Sequence, residues 1–236
     1  MPIVEVKNLR KSYPDKIAVE DVSFHVERGE IFGILGTNGA GKTTTVECLQ
    51  GLREPDSGSI SVLGLDPRKD RDALHERLGA QLQESELPEK LKVSEALKLY
   101  ASFYRDPADP EKLLDQLALT DKRDSYFKNL SGGQKQRLSI ALALIGNPEI
   151  AVLDELTTGL DPHARRDAWK LIEGIRDSGV TVILVTHFMD EAQRLCDRIA
   201  VIEAGRVLAL DTPAGLMHTA GETTLDDAFV TLTGRN

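Results

Sequence analysis

Two cysteines, Cys48 and Cys196, are the only thiols in a chain of 236 residues. They stand far apart without metal-type spacing, which speaks against a disulfide framework or a cysteine-held metal, and both read as small apolar fillers in a reduced compartment. Positive charge is also short. With 29 Lys and Arg against 38 Asp and Glu the net charge is −9, the wrong sign for a broad phosphate-neutralising surface, so nucleic acid is not an expected partner. No apolar run approaches the roughly 18 residues of a membrane helix, and Met1 to Lys7 show no signal-peptide pattern. A soluble, cytoplasmic chain is the expectation. Aromatic residues make up only 5%, so an aromatic outside an apolar run invites a specific role. What is plentiful is ordinary core material: at 41% hydrophobic the chain can bury a sizeable interior, and one large α/β domain is favoured.

Against this plain background stands Gly36-Thr37-Asn38-Gly39-Ala40-Gly41-Lys42-Thr43, a match to GxxxxGK[ST]. Such a glycine-rich loop wraps phosphates with backbone N–H groups, its lysine reaches the β/γ-phosphates and its hydroxyl a Mg²⁺ ion. Ile31 to Leu35 reads as a buried strand before it and Thr44 to Leu49 as a helix after it, so the helix N-terminus faces the phosphates. Further on, Leu130-Ser131-Gly132-Gly133-Gln134 holds no charge, so any anion there is held by backbone N–H groups, the Ser131 hydroxyl and a helix dipole. Ser131 reads as an N-cap, because Leu138, Ala141, Leu142 and Ile145 form an i, i+3, i+4, i+7 stripe behind it.

Between and around these motifs, alternating segments such as Ile3 to Val6 and Val22 to Glu27 read as half-exposed strands. A short strand is expected over Gly58 to Leu63 and another over Leu78 to Gln83. A charged, helix-rich stretch follows from Glu84 to Lys128, broken at Asp106-Pro107 and Asp109-Pro110. Ile150 to Leu153 and Val180 to Val185 are continuous apolar runs of the buried parallel kind, joined by a helix from about Pro162 to Asp177. Asp197 to Ile202 and Arg206 to Leu210 read as a closing hairpin, with two short helices after it. Asp154 and Glu155 end an apolar strand at the carboxyl edge where open α/β sheets place ligands. His187 ends the next one.

The two glycine motifs together resemble the ATP-binding cassette (ABC) ATPases, over Ile3 to about Leu210. The resemblance implies an α/β fold: a P-loop NTPase core with a mixed, largely parallel sheet, an N-terminal antiparallel β subdomain and an inserted helical subdomain. It implies one ABC ATPase domain over residues 1–236, with the helical part about 84–145 and a helical extension about 212–236. ATP and Mg²⁺ are the implied ligands. Gly36, Asn38, Gly39, Ala40, Gly41, Lys42, Thr43 and Thr44 would hold nucleotide, Tyr13 would stack on its base, and Asp154 with Thr43 would hold Mg²⁺. Glu155 would polarise the attacking water, His187 would contact the γ-phosphate, and Gln83 would sense Mg²⁺ and water, while Gln81 is weighed as a surface amide. Ser131, Gly132, Gly133 and Gln134 would close on a nucleotide bound by a second copy or a homologous subunit, and Asp161 would lie along the dimer seam, where it also reads as an N-cap. One departure stands out. The family places Pro after the Glu155 position, and this chain has Leu156, which puts the stiffness of the segment to Asp161 in question.

The resemblance also implies a separate transmembrane permease, with the chain peripheral at the inner face of the cell membrane. Residues from His187 to Arg198 and from Thr224 to Arg235 resemble the bacterial drug- and polysaccharide-exporter branch, of the daunorubicin-resistance type. A cassette ATPase of assembly or scaffolding, without transport, is the reading from another class. His25, His75, His163 and His218 read as surface or packing residues. Because a ring face stacks on any base, ATP and GTP are expected to bind within about an order of magnitude of each other, and Tyr13→Ala is expected to weaken both alike in equilibrium titrations.

Overall fold

The computed structural model describes residues 2–81 and 87–234. The chain opens with β1 (Val4–Tyr13), β2 (Lys16–Val26), β3 (Ile31–Leu35), α1 (Lys42–Leu49) and β4 (Ser57–Val62), then α2 (Arg71–His75) and β5 (Leu78–Gln81). There follow α3 (Val93–Ala101), α4 (Pro110–Gln116), α5 (Gly132–Leu144), β6 (Ile150–Asp154), α6 (Pro162–Asp177) and β7 (Thr181–Thr186). Last come α7 (Met189–Leu195), β8 (Arg198–Glu203), β9 (Arg206–Asp211), α8 (Pro213–Ala220) and α9 (Leu225–Thr233). Two compact units emerge: Met1–Leu74 with Thr181–Asn236, and His75–Val180.

In the first unit β1 pairs antiparallel with both β2 and β4. Alternation sets which residues go inside: Val4, Val6 and Leu9 of β1 and Val22, Phe24 and Val26 of β2 are buried. A register shift between Val6 and Leu9 turns Lys7 and Asn8 outward together, as a bulge does. Beside them, β3 is fully buried and pairs in parallel with β7 and β8, while β9 returns antiparallel along β8. The unbroken apolar character of β3 and β7 follows from burial on both faces. Close packing shows at Gly33, where a Cβ would lie 2.7 Å from the Cys196 sulfur. Both cysteines are buried fillers, and burial pushes the Cys48 thiol up to about 11.

In the second unit β5 and β6 pair in parallel from Leu78↔Ile150 to Gln81↔Leu153. Gln81, paired in register with Leu153, is buried and not a surface amide. The expected strand to Gln83 is described as far as Gln81, and Gln83 itself lies outside the described residues. The expected helix-rich stretch contains α3, α4 and two single 3₁₀ turns. Asp109 accepts the Glu111 N–H and Pro110 takes the first helical position of α4, so the Asp-Pro pair that looked like a breaker starts a helix. Along α5 the predicted stripe Leu138, Ala141, Leu142 and Ile145 is buried throughout. The helix seats on β5 at Gly79, where a Cβ would run into the Ala143 carbonyl.

Gly79→Ala therefore has to push α5 off the strand, at a cost of about 1–3 kcal/mol or more. A lower urea midpoint with an unchanged slope is the expected result. Gly174→Ala, in the interior of α6 with open space around it, is expected to raise stability by about 0.5–1 kcal/mol and the urea midpoint with it.

Candidate functional site

The phosphate loop leaves β3 and enters α1 as the sequence predicts, and its glycines show why no other residue serves. A Cβ on Gly36 would strike the Ile202 carbonyl, and one on Gly41 would strike the Ala18 carbonyl. Gly39 and Gly41 also sit at φ +83° and +106°, a left-handed region that L side chains rarely adopt. The turn between β8 and β9 locks the loop from outside: Gly205 donates its N–H to the Ala40 carbonyl at 2.9 Å, and its own carbonyl accepts from Glu20 at 2.8 Å. Gly41 heads α1 with no side-chain cap, so the first N–H groups of the helix are met by no carboxylate or hydroxyl of its own cap. Beneath them Lys42 is 5% exposed and donates to the carbonyls of Gly36 at 2.9 Å and Thr37 at 3.1 Å. Asn38, Gly39 and Thr43 are exposed. Glycines that exclude a side chain, an uncapped helix start and a lysine at the loop suit a bound polyphosphate.

Tyr13 and His187 belong to the same unit. In register, Leu35 of β3 lies beside Thr186 of β7, so Gly36 and His187 leave adjacent strands at one sheet edge. His187 packs its ring on Phe188 with centroids 4.1 Å apart. Tyr13 ends β1, with the Lys11 ammonium 5.8 Å and the Arg53 guanidinium 6.0 Å from its ring centre. Asp56 fixes this corner: it accepts the Ser12 N–H at 2.7 Å and the Lys11 ammonium at 3.1 Å, together with the Ser12 hydroxyl. Those bonds, Ser12 first, hold its carboxyl down to about 2. In the sequence Asp56 read only as part of a turn; its partners lie about 44 residues earlier, a separation that no local pattern reports.

In the second unit, Asp154 ends β6 as a buried carboxylate, and Glu155 follows at φ +49°. Leu156 and Thr157 come next, both wholly buried. Thr158 then donates to the Glu155 carbonyl and Leu160 to that of Thr157, both at 3.2 Å. Burial of two side chains and two tight turns thus hold the segment in which a proline is missing. Ser131 caps α5 through a reciprocal box: its hydroxyl accepts the Gln134 N–H at 3.3 Å and its N–H donates to the Gln134 side chain at 2.9 Å. Asp161 caps α6, accepting from His163 at 2.8 Å and Ala164 at 3.0 Å, and these bonds hold its carboxyl below the usual range. Ser131, Gly132, Gly133 and Gln134 line one open cleft of about 500 Å³ with Asp161 and the exposed His163. An ion pair from Arg137 to Asp167, 3.3 Å, crosses that cleft between α5 and α6.

Residues 19–158 match the ABC transporter family. The chain belongs to that family. It is 43% identical over 221 residues to the Nod factor export ATP-binding protein I of Burkholderia pseudomallei, covering 91% of this chain and 72% of that one. The protein of the same name from Rhizobium etli is 40% identical over 222 residues, covering 92% and 70%. Among solved structures, an ATP-binding subunit of an ABC transporter is 31% identical with a TM-score of 0.87, covering 98% of this chain and 99% of that one. A dimeric post-hydrolysis ATP-binding cassette bound to ADP and phosphate is 25% identical with a TM-score of 0.77, covering 89% and 98%. This ABC protein is thus an ATP-binding, ATP-hydrolysing transporter subunit with the P-loop NTPase fold, and the scaffolding reading gives way. Both relatives are named for Nod factor export, so the daunorubicin-type branch expected from the sequence is carried no further.

Loss of the Asp56 pin is expected to loosen the Tyr13 corner. A carboxylate whose folded pKa is depressed from 3.8 to about 2 contributes stability that is present above the unfolded value and lost as pH falls through the folded one. Asp56→Ala is therefore expected to show at neutral pH what the natural chain shows only in that acid window: a severalfold higher Kd for ATP and ADP, read by equilibrium titration.

Proposed function

We propose that this ABC protein works as one half of an ATP-closed pair that powers export through a separate membrane permease. The packing of the phosphate loop carries the reading, because close-packed glycines, an uncapped α1 and Lys42 have no economical use other than gripping a polyphosphate. Gly36, Asn38, Gly39, Ala40 and Gly41 surround the phosphates with backbone N–H groups, Thr43 and Thr44 add the first turn of α1, and Lys42 neutralises charge on the β/γ-phosphates. Tyr13 stacks on the base.

Thr43 offers a hydroxyl and Asp154 a carboxylate, hard oxygen donors of the type that suits Mg²⁺, with the Gln83 amide the third member that the family pattern supplies. Bound Mg²⁺ supplies charge neutralisation along the phosphate chain. Glu155 accepts a hydrogen bond from the attacking water and holds it in line with the γ-phosphate, while His187 contacts the γ-phosphate oxygens.

The group that completes the site comes from the second copy. Gly132 and Gly133 stand at the open start of α5, where a helix has no acceptors of its own for its first N–H groups. The Ser131 hydroxyl, which accepts from Gln134, keeps its own proton to donate. These groups and Gln134 close on the γ-phosphate held by the partner copy, and Asp161 lies along the seam. Closure acts on a separate permease at the inner face of the membrane, a reading that membership of the ABC transporter family supports; no helix among the described residues is long and apolar enough to cross a membrane. Relatives named for export support the direction.

Glu155→Gln keeps shape but removes the carboxylate, so Mg-ATP is expected to bind, persist unhydrolysed and drive dimers visible by light scattering. Ser131→Arg puts bulk and charge at the start of α5, and the expected result is normal ATP binding with no dimer, also in the double mutant. Ordinary hydrolysis by Glu155→Gln, or dimers of Ser131→Arg as abundant as those of Glu155→Gln, removes the shared-site mechanism.

A further inference from the structure

A second lysine stands at the phosphate loop, outside every motif. Lys16 opens β2 directly opposite Tyr13, across the Pro14-Asp15 turn. Its ammonium lies 3.7 Å from the point where a Cβ on Gly39 would sit, and among the described residues other than the neighbours of Gly39 in the chain it is the one group that near to it. Gly39 is exposed, so the ammonium covers the outer rim of the loop, whereas Lys42 is folded beneath it.

The start of β2 runs along the loop: two residues after Lys16, the Ala18 carbonyl is the group that crowds Gly41. One short stretch of strand thus follows the loop, with the Lys16 side chain at Gly39 and the Ala18 backbone at Gly41. Lys16 is exposed, and its ammonium makes no ion pair or hydrogen bond with any described residue. In a chain with net charge −9, an unpaired ammonium held against a ring of backbone donors serves an anion that those donors also serve.

We infer that Lys16 is a further nucleotide-binding residue that contacts the phosphate chain from outside the loop. One hairpin then grips both ends of the nucleotide: Tyr13 the base and Lys16 the phosphates. The inference rests on the reading that Gly36 to Thr43 holds those phosphates.

The test is equilibrium titration of the whole chain with ATP, ADP, AMP and adenosine at low and moderate salt. An exposed charge-assisted contact is expected to be worth a factor of about 3–10 in Kd. Lys16→Ala should weaken ATP and ADP by that factor, leave adenosine unchanged and flatten the salt dependence, while Lys16→Arg restores binding and Lys16→Glu weakens it further. Thermal melting confirms that each variant is folded. Natural ATP and ADP affinity in Lys16→Ala overturns the inference, and so does an equal loss for adenosine, which assigns the lysine to holding Tyr13. Lys42→Ala separates the two levels: if it too binds ADP normally, the phosphate-loop reading fails; if it alone loses binding, only the role of Lys16 fails.

Discussion

Backbone pressed against backbone at Gly36 and Gly41 is the constraint on which the nucleotide end of this ABC protein depends. The Ile202 and Ala18 carbonyls occupy the space that any side chain at those positions would need. This closeness lets β2 and the β8–β9 turn shape the loop directly, with Gly205 bonded to Ala40 on one side and to Glu20 on the other. The loop is thus held by main-chain groups that no surface substitution removes. Its N–H groups keep their arrangement before any phosphate arrives, and binding energy is not spent on ordering them.

The second unit uses caps to give two helix starts opposite characters. Asp161 satisfies two N–H groups of α6 with one carboxylate oxygen, so that start is closed and carries negative charge. Ser131 satisfies only Gln134, and among the described residues Gly132 and Gly133 donate to nothing in the chain. The α5 start is thus open, neutral and suited to an acceptor from outside. Both line one cleft, which presents an anion-accepting rim beside an anion-repelling one. Under the proposed pairing of two copies, such a contrast would orient an incoming phosphate as well as attract it.

Much of this was legible in the chain. Buried parallel strands write themselves as unbroken apolar runs, caps as Ser or Asp before a stripe, and the loop as glycines at fixed offsets, so β3, β6, β7, α5 and α6 emerge close to where they are predicted. Asp109-Pro110 misleads as a breaker because the same pair also starts helices. Gln81 misleads because an amide at a strand end says nothing about what will cover it in the fold. Asp56 and Lys16 act through contacts that exist only after β1, β2 and the loop have come together, and neither stands in a motif. Leu156 is the mirror case: the departure shows plainly in the sequence, but its remedy, burial of Leu156 and Thr157, shows only in the fold.

The contact between Gly33 and Cys196 ties two distant positions together. With the sulfur 2.7 Å from where a methyl group at position 33 would fall, an alanine there requires the buried Cys196 side chain to give way, and a bulkier residue at 196 presses on β3 from the other side. What one position tolerates therefore depends on what stands at the other, although the two are 163 residues apart in the chain.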